Sequence, residues 1–166
     1  MENLVVDFMP LEEKVLGFNN RWYIEGFKNS VEVSLDERNT IRIFTALYFL
    51  AAKIEAFKSR GKNKQGGYDG RFSTDFEDIV FVLVNRNAIW QEMDEAEGAI
   101  KEYLRVEFTS LLDNPDFEEW LDAHTDFSSP ATQAIILPRI KKFVTDSPTS
   151  HNSPPPTPPS PSHPRP

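Results

Sequence analysis

Side chains suited to phosphate chemistry occur at three places in this sequence. Asp7 lies in the apolar run at residues 4–8, Lys53 in FLAAKIEAF, and Asp75 and Asp78 in STDFEDIVFVL. Carboxylate oxygens are the ligands that Mg²⁺ prefers, and a lysine ammonium binds phosphate oxygens as a point charge. Together these groups could hold a magnesium-bound nucleoside triphosphate.

The same residues also have structural interpretations. Asp75 and Asp78 are three positions apart, so on a helix they share a face, and near its N-terminus each would stabilise the helix dipole by about 0.3–1 kcal/mol. The stem of Lys53 could cover the edge of the core while its ammonium reaches water. Alternatively, Lys53 forms a partly buried ion pair with the acidic face of the next helix.

The composition predicts one folded domain followed by a tail. Of the 166 residues, 39% are hydrophobic, and nine of the 13 prolines follow residue 146. We expect residues 1–145 to fold, with strands in 1–45 and helices in 46–145. Residues 146–166 are expected to be a disordered proline-rich tail, either a ligand for an aromatic groove or a solubilising extension.

Charge and cysteine content exclude several function classes. The net charge of -8 argues against binding of nucleic acid or anionic lipid through overall charge, although a local basic patch stays possible. The chain has no cysteine, which excludes thiolate metal sites and cysteine nucleophiles. No run of about 18 apolar residues is present, so we expect a cytoplasmic protein without a membrane partner.

Sheet-forming patterns are concentrated in the first third of the chain. Residues 4–8 predict a buried strand that ends beyond Asp7, and a loop containing residues 17–23 follows. Residues 31–35 and 41–44 predict a hairpin, which gives about three strands in all.

Helical patterns dominate the remainder. Apolar residues at spacings of three and four predict a helix over 46–60, with Gly61 as its C-cap. Thr74 and Glu77 have the spacing of a capping box and favour a helix to Asn85, although the strand formers of IVFVLV leave a strand as the alternative. Further helices are predicted over 90–112, from residue 116, and over 130–144 with a break at Pro138.

Four segments together resemble a known family. VDFMPLEEKVLGFNNRWY, YFLAAKIEAFKSRG, DGRFSTDFEDIV and EYLRVEFTSLLDNPDFEEWLDAH are similar, in this order, to the AbiEii-type nucleotidyltransferases of toxin–antitoxin and phage-defence systems. The resemblance covers residues 4–145. It implies an α+β fold, in which part of a polymerase-β-like sheet precedes a helical portion, and transfer of a nucleoside monophosphate from an NTP with Mg²⁺.

The resemblance also implies roles for individual residues. Asp7 corresponds to an acidic residue that ligates Mg²⁺ and serves catalysis, and Lys53 to a lysine that approaches the nucleotide phosphates or assists the reaction. Asp75 and Asp78 correspond to a late acidic motif at the nucleotide. Arg60 is either a phosphate contact or a charge at the helix C-terminus.

Two elements of the family pattern are absent from this sequence. Neither a Gly-Ser element nor an Asp-x-Asp pair occurs in it, and both would precede Leu4. Two-metal phosphoryl transfer needs several carboxylates, so we expect this chain alone to be catalytically incomplete and to represent a truncated reading frame. Its partners would be a nucleotide, an RNA or protein acceptor, and an antitoxin or the missing N-terminal segment.

An alternative hypothesis is a noncatalytic protein-interaction module with a polyproline tail. An enzyme of another chemistry is disfavoured, because His124 has no neighbouring nucleophile or metal-ligand spacing. We expect His124 to be a surface residue.

Overall fold

The computed structural model describes residues 20–60, 69–125 and 131–146, with the backbone alone at 131–133. Over these ranges the chain is α+β and mostly helical, with seven helices and one two-stranded sheet. Each of these helices is too short or too polar to cross a membrane. The predicted strand at residues 4–8, with Asp7, and residues 147–166 of the predicted tail lie outside the described residues. In chain order the elements are α1 (Trp22–Lys28), β1 (Val31–Ser34), β2 (Thr40–Ile43), α2 (Ala46–Arg60), α3 (Thr74–Asn85), α4 (Ile89–Glu95), α5 (Gly98–Leu112), α6 (Phe117–His124) and α7 (Ala131–Thr145).

The predicted hairpin is confirmed. β1 and β2 pair in antiparallel fashion, with Val31 opposite Ile43. The turn between them is closed by Asp36, whose Oδ1 accepts hydrogen bonds from the backbone N–H groups of Arg38 and Asn39, both at 2.8 Å. An aspartate that bonds to backbone amides two and three residues later is a common way to fix a tight turn.

A short helix replaces part of the loop predicted at residues 17–23. α1 begins at Trp22, where the side-chain Oδ1 of Asn20 accepts a hydrogen bond from the Trp22 N–H at 3.2 Å. The Trp22 indole is buried and its ring lies 4.9 Å from that of Tyr103 on α5. Burial of this large side chain anchors residues 20–23, which belong to the predicted loop.

Helix α2 occupies the predicted range and forms the centre of the fold. Its residues Leu50, Ile54 and Phe57 are buried at helical spacing. Helix α2 packs most extensively against α3, and it also contacts α1, α4 and α5. Helix α2 is therefore surrounded by several of its neighbours.

The segment after residue 73 is a helix, as the capping signal favoured, but its cap differs by one residue. The N-cap is Ser73, whose Oγ accepts a hydrogen bond from the Phe76 N–H at 3.3 Å. Thr74 is already the first helical residue, so the predicted capping box of Thr74 and Glu77 is wrong. The predicted end at Asn85 is confirmed.

The single helix predicted over residues 90–112 is wrong, because α4 and α5 are separate. Ala96 has an extended backbone with ψ of 149°, and Gly98 begins α5 with φ of +64°. That φ is strained for residues with a Cβ, so glycine suits the break. The apolar periodicity continues across it because both helices pack on one core.

Helix α7 runs without interruption from Ala131 to Thr145, so the predicted break at Pro138 is also wrong. Proline removes the amide that would bond to the carbonyl of Ala134. Pro138 and Ala134 are both exposed, so water can satisfy that carbonyl.

An aromatic cluster joins α3 to α6. The Phe76 ring lies 5.7 Å from that of Trp120 and 5.8 Å from the imidazole of His124. His124 is partly buried and not a surface residue as predicted, since its Nε2 donates a hydrogen bond to the Gly70 carbonyl at 2.7 Å. A Cβ on Gly70 would lie only 2.8 Å from the Trp120 ring. These contacts fix the chain as it enters α3.

The N-cap assignment predicts different effects at adjacent residues. Ser73→Ala should lower the free energy of unfolding by about 1 kcal/mol, because the N–H of Phe76 loses its acceptor. Thr74→Ala should change it by less than about 0.5 kcal/mol, because Thr74 is exposed. Urea unfolding of both variants measures the difference. A larger loss for Thr74→Ala would show that Thr74 is the cap.

Candidate functional site

Two adjacent helices bring four of the predicted site residues together. Lys53 and Arg60 are seven residues apart on α2, which is about two turns, so they project from similar faces. Asp75 and Asp78 lie in the first turns of α3 and share one face of it. Since α2 and α3 are the most closely packed pair of helices, the basic face meets the acidic face.

Asp75 is at the centre of this cluster. Its Oδ1 and Oδ2 accept hydrogen bonds from Nη2 and Nε of Arg60 at 2.7 and 3.1 Å. The Lys53 ammonium lies 3.4 Å from the same Oδ1 and 2.5 Å from Oδ2 of Asp78. Two carboxylates and two cations thus form a continuous network, which we call the α2–α3 charge cluster (Lys53, Arg60, Asp75 and Asp78).

Solvent exposure increases outward through the α2–α3 charge cluster. The side chain of Asp75 is 6% exposed and that of Lys53 28%, while those of Asp78 and Arg60 are 43% and 57% exposed. Asp75 is therefore a buried carboxylate whose cations reach toward solvent. A charge at that depth requires partners, and both come from α2.

The pKa of Lys53 reflects this environment. Partial burial lowers the pKa of the ammonium, but hydrogen bonds and charge attraction from Asp78 and Asp75 outweigh that effect, so the pKa is raised. The ring of Phe49 lies 5.7 Å from Nζ. Lys53 is accordingly a fixed cation at neutral pH and not a candidate general base.

Tyr23 and Asn20 border the α2–α3 charge cluster and were not among the predicted site residues. Burial raises the pKa of the Tyr23 hydroxyl, while the charge of Arg60 and a hydrogen bond with Asn20 oppose this rise. Asn20 also donates from Nδ2 to the Ala52 carbonyl at 2.9 Å, which ties the start of α1 to α2. The sequence signal for such an anchor is an Asn two residues before an aromatic pair, here Asn20 before Trp22 and Tyr23.

The predictions for individual site residues thus have different outcomes. Of the alternatives for Lys53, the ion pair with the acidic face of α3 is present, and Arg60 belongs to the same network. Asp7, the predicted catalytic residue and metal ligand, lies outside the described residues. Across residues 20–60, 69–125 and 131–146, no group of three or more acidic or histidine side chains is arranged to hold a metal ion.

The comparisons with known proteins identify no relative. No protein-family model, curated protein or solved structure matches this chain. The α2–α3 charge cluster holds an ammonium and a guanidinium against one carboxylate, and both kinds of group are donors suited to phosphate oxygens.

The burial gradient predicts unequal roles for the two aspartates in stability. Asp75→Asn should lower the free energy of unfolding by about 1–3 kcal/mol, because a buried acceptor of charged hydrogen bonds loses its charge. Asp78→Asn should cost about 0–1 kcal/mol, because its ion pair is exposed to water. Urea unfolding at neutral pH tests the order, and equal losses would contradict it.

Alkaline solution should destabilise the protein partly through the same region, alongside Tyr103 and Lys58, whose pKa values are also raised. Lys53 and Tyr23 both have raised pKa values, so the folded state retains protons that the unfolded state releases. Their stabilisation is complete below the ordinary tyrosine value of 10.0 and is lost as pH rises through the folded values. Urea midpoints measured from pH 8 to about 11 should fall above about pH 10.

Tyr23→Phe and Lys53→Met, separately, provide the control for this pH dependence. Each removes one titrating group and should make the alkaline decline shallower. If the alkaline decline of the urea midpoint is unchanged in both variants, other titrating groups cause it.

Proposed function

We propose that this chain is a nucleotidyltransferase-like protein in which the α2–α3 charge cluster binds the phosphates of a nucleoside triphosphate. The observation that carries the proposal is the pairing of Lys53 and Arg60 through the buried carboxylate of Asp75. Because Asp75 fixes both cations from below, their positions are set before a ligand arrives. Preorganised donors bind an anion with less loss of conformational freedom.

The chemistry of the two cations supports a polyphosphate as the ligand. An arginine fork can make two parallel hydrogen bonds to phosphate oxygens, while a lysine ammonium acts as a compact charge. Both side chains reach solvent, with exposures of 57% and 28%. A triphosphate carries several negative charges along one chain and can contact both groups.

The resemblance described above extends the proposal to individual roles. Lys53 and Arg60 contact phosphate, Asp75 positions these cations, Asp78 belongs with Asp75 to the late acidic motif at the nucleotide, and Asp7 contributes a carboxylate for Mg²⁺. The described residues alone do not form a set of magnesium ligands. We therefore derive no reaction step through the metal.

Nucleotide binding without transfer is the expected behaviour of this chain. The sequence has no Asp-x-Asp pair and no Gly-Ser element. Metal-assisted phosphoryl transfer needs carboxylates that clamp two ions between attacking and leaving oxygens. Transfer of the nucleotide to an acceptor, whether RNA or protein, would then take place only on a protein that also contains these carboxylates.

Isothermal titration calorimetry with each of the four NTPs and Mg²⁺ tests nucleotide binding. We expect at least one NTP to bind, and Lys53→Ala to weaken binding by about tenfold or more, because a charged hydrogen bond to phosphate is lost. Lys28→Ala is the matched control, since it removes an exposed ammonium paired with Glu25 on α1. Absence of binding, or equal weakening by both substitutions, would contradict the proposal.

A second candidate function, protein interaction, is favoured by exposed apolar side chains around the hairpin. Six large apolar residues on α1 and the hairpin are at least 42% exposed, and two of them, Val31 and Ile43, line a cleft of about 630 Å³. Patches of this kind commonly mark interaction sites. Capture of a protein partner without nucleotide, combined with no calorimetric response to NTP, would favour this function. The six residues are Ile24, Phe27, Val31, Leu35, Ile41 and Ile43.

A further inference from the structure

The two aspartates of the α2–α3 charge cluster are held in different ways. Asp75 uses both carboxylate oxygens, accepts from two cations and has a side chain that is 6% exposed. Asp78 contacts Lys53 through Oδ2, and its side chain is 43% exposed. Movement of Asp75 would leave a buried charge unpaired, whereas Asp78 can rotate into water at small cost.

We propose that Asp78 is a built-in competitor for the anion that Lys53 binds. Its carboxylate neutralises the Lys53 ammonium, and an incoming phosphate takes its place. Asp75 remains bound and keeps Lys53 and Arg60 in position. This inference rests on the proposed phosphate site, and it assigns opposite effects to two acids that the sequence pattern treats as one motif.

The charge balance of the cluster supports this assignment. Two carboxylates offset one ammonium and one guanidinium, so the four side chains together are neutral. Asp78 is in direct contact with Lys53, and its carboxylate would repel a phosphate at that ammonium. Replacement of the carboxylate by an amide keeps the size of the side chain and leaves the cluster with one net positive charge. A polyphosphate should then bind more tightly.

Calorimetric titration with inorganic tripolyphosphate tests the inference at low salt and in EDTA, where metal bridging is absent. We expect Asp78→Asn to lower the Kd about five- to tenfold relative to the unaltered chain, because the variant removes one repulsive charge that lies close to the bound phosphate near the surface. Glu77→Gln is the matched control, because it changes the net charge equally at an exposed neighbouring position on the same helix. Its Kd should stay within about twofold.

Two further variants make the result decisive. Lys53→Ala combined with Asp78→Asn should lose the gain, since the competitor acts through Lys53. Asp78→Ser should also tighten binding, and circular dichroism establishes that each variant is folded. One result would overturn the inference alone: the unaltered chain binds tripolyphosphate in a way that depends on Lys53, but both Asp78 variants bind it equally or more weakly. Asp78 then positions Lys53, and the phosphate site stands. If neither the unaltered chain nor any variant binds tripolyphosphate, both are wrong.

Discussion

The charge of a buried carboxylate must be compensated by nearby cations, and in this chain the acid and its cations lie on two different helices. Asp75 in the first turn of α3 accepts hydrogen bonds from Arg60 at the end of α2 and lies close to Lys53 in the middle of α2. Unpaired, this buried charge would be costly, so α2 and α3 are fixed in both position and rotation. The same pairing holds two cations near the surface, which links the stability of the helix pair to the proposed binding of a phosphate.

The surroundings of α3 restrict the position of Asp75 further. Ser73 caps the helix, Phe76 packs among aromatic rings from α6, and His124 bonds to the carbonyl of Gly70 just before the cap. These contacts act on residues on both sides of Asp75. Asp75 therefore has little freedom to move, and the two cations bound to it are restrained through it.

Local patterns in the sequence were sufficient to predict much of the fold. The apolar spacing of α2, the turn residues of the hairpin and the polar start of α3 each specify their element through nearby residues. The break before Gly98 and the continuity through Pro138 were not predictable in this way. Apolar periodicity does not change where one helix ends and the next begins, if both pack on the same core. The free-energy cost of a proline inside a helix depends on whether water reaches the carbonyl that it leaves unpaired.

The candidate site was also predictable from the sequence only in part. Acids three residues apart and a lysine on the preceding helix predicted the ion pair, because helical spacing determines which side chains share a face. The proximity of Tyr23 depends on the packing of α1 against α2, which the sequence does not encode locally. The depth of Asp75 relative to Asp78 is also a tertiary property, and our proposal that Asp75 supports the cations while Asp78 competes with the phosphate rests on it.

The central claim is that one buried acid preorganises two cations for a phosphate ligand. Its most direct test is an NMR titration that follows the side-chain nitrogen signals of Lys53 and Arg60 as Mg²⁺-NTP is added. The account predicts that both signals shift together and saturate at one ligand concentration, and that Asp75→Asn removes the joint response. Saturable shifts confined to lysines and arginines elsewhere, with Lys53 and Arg60 unchanged, would contradict it.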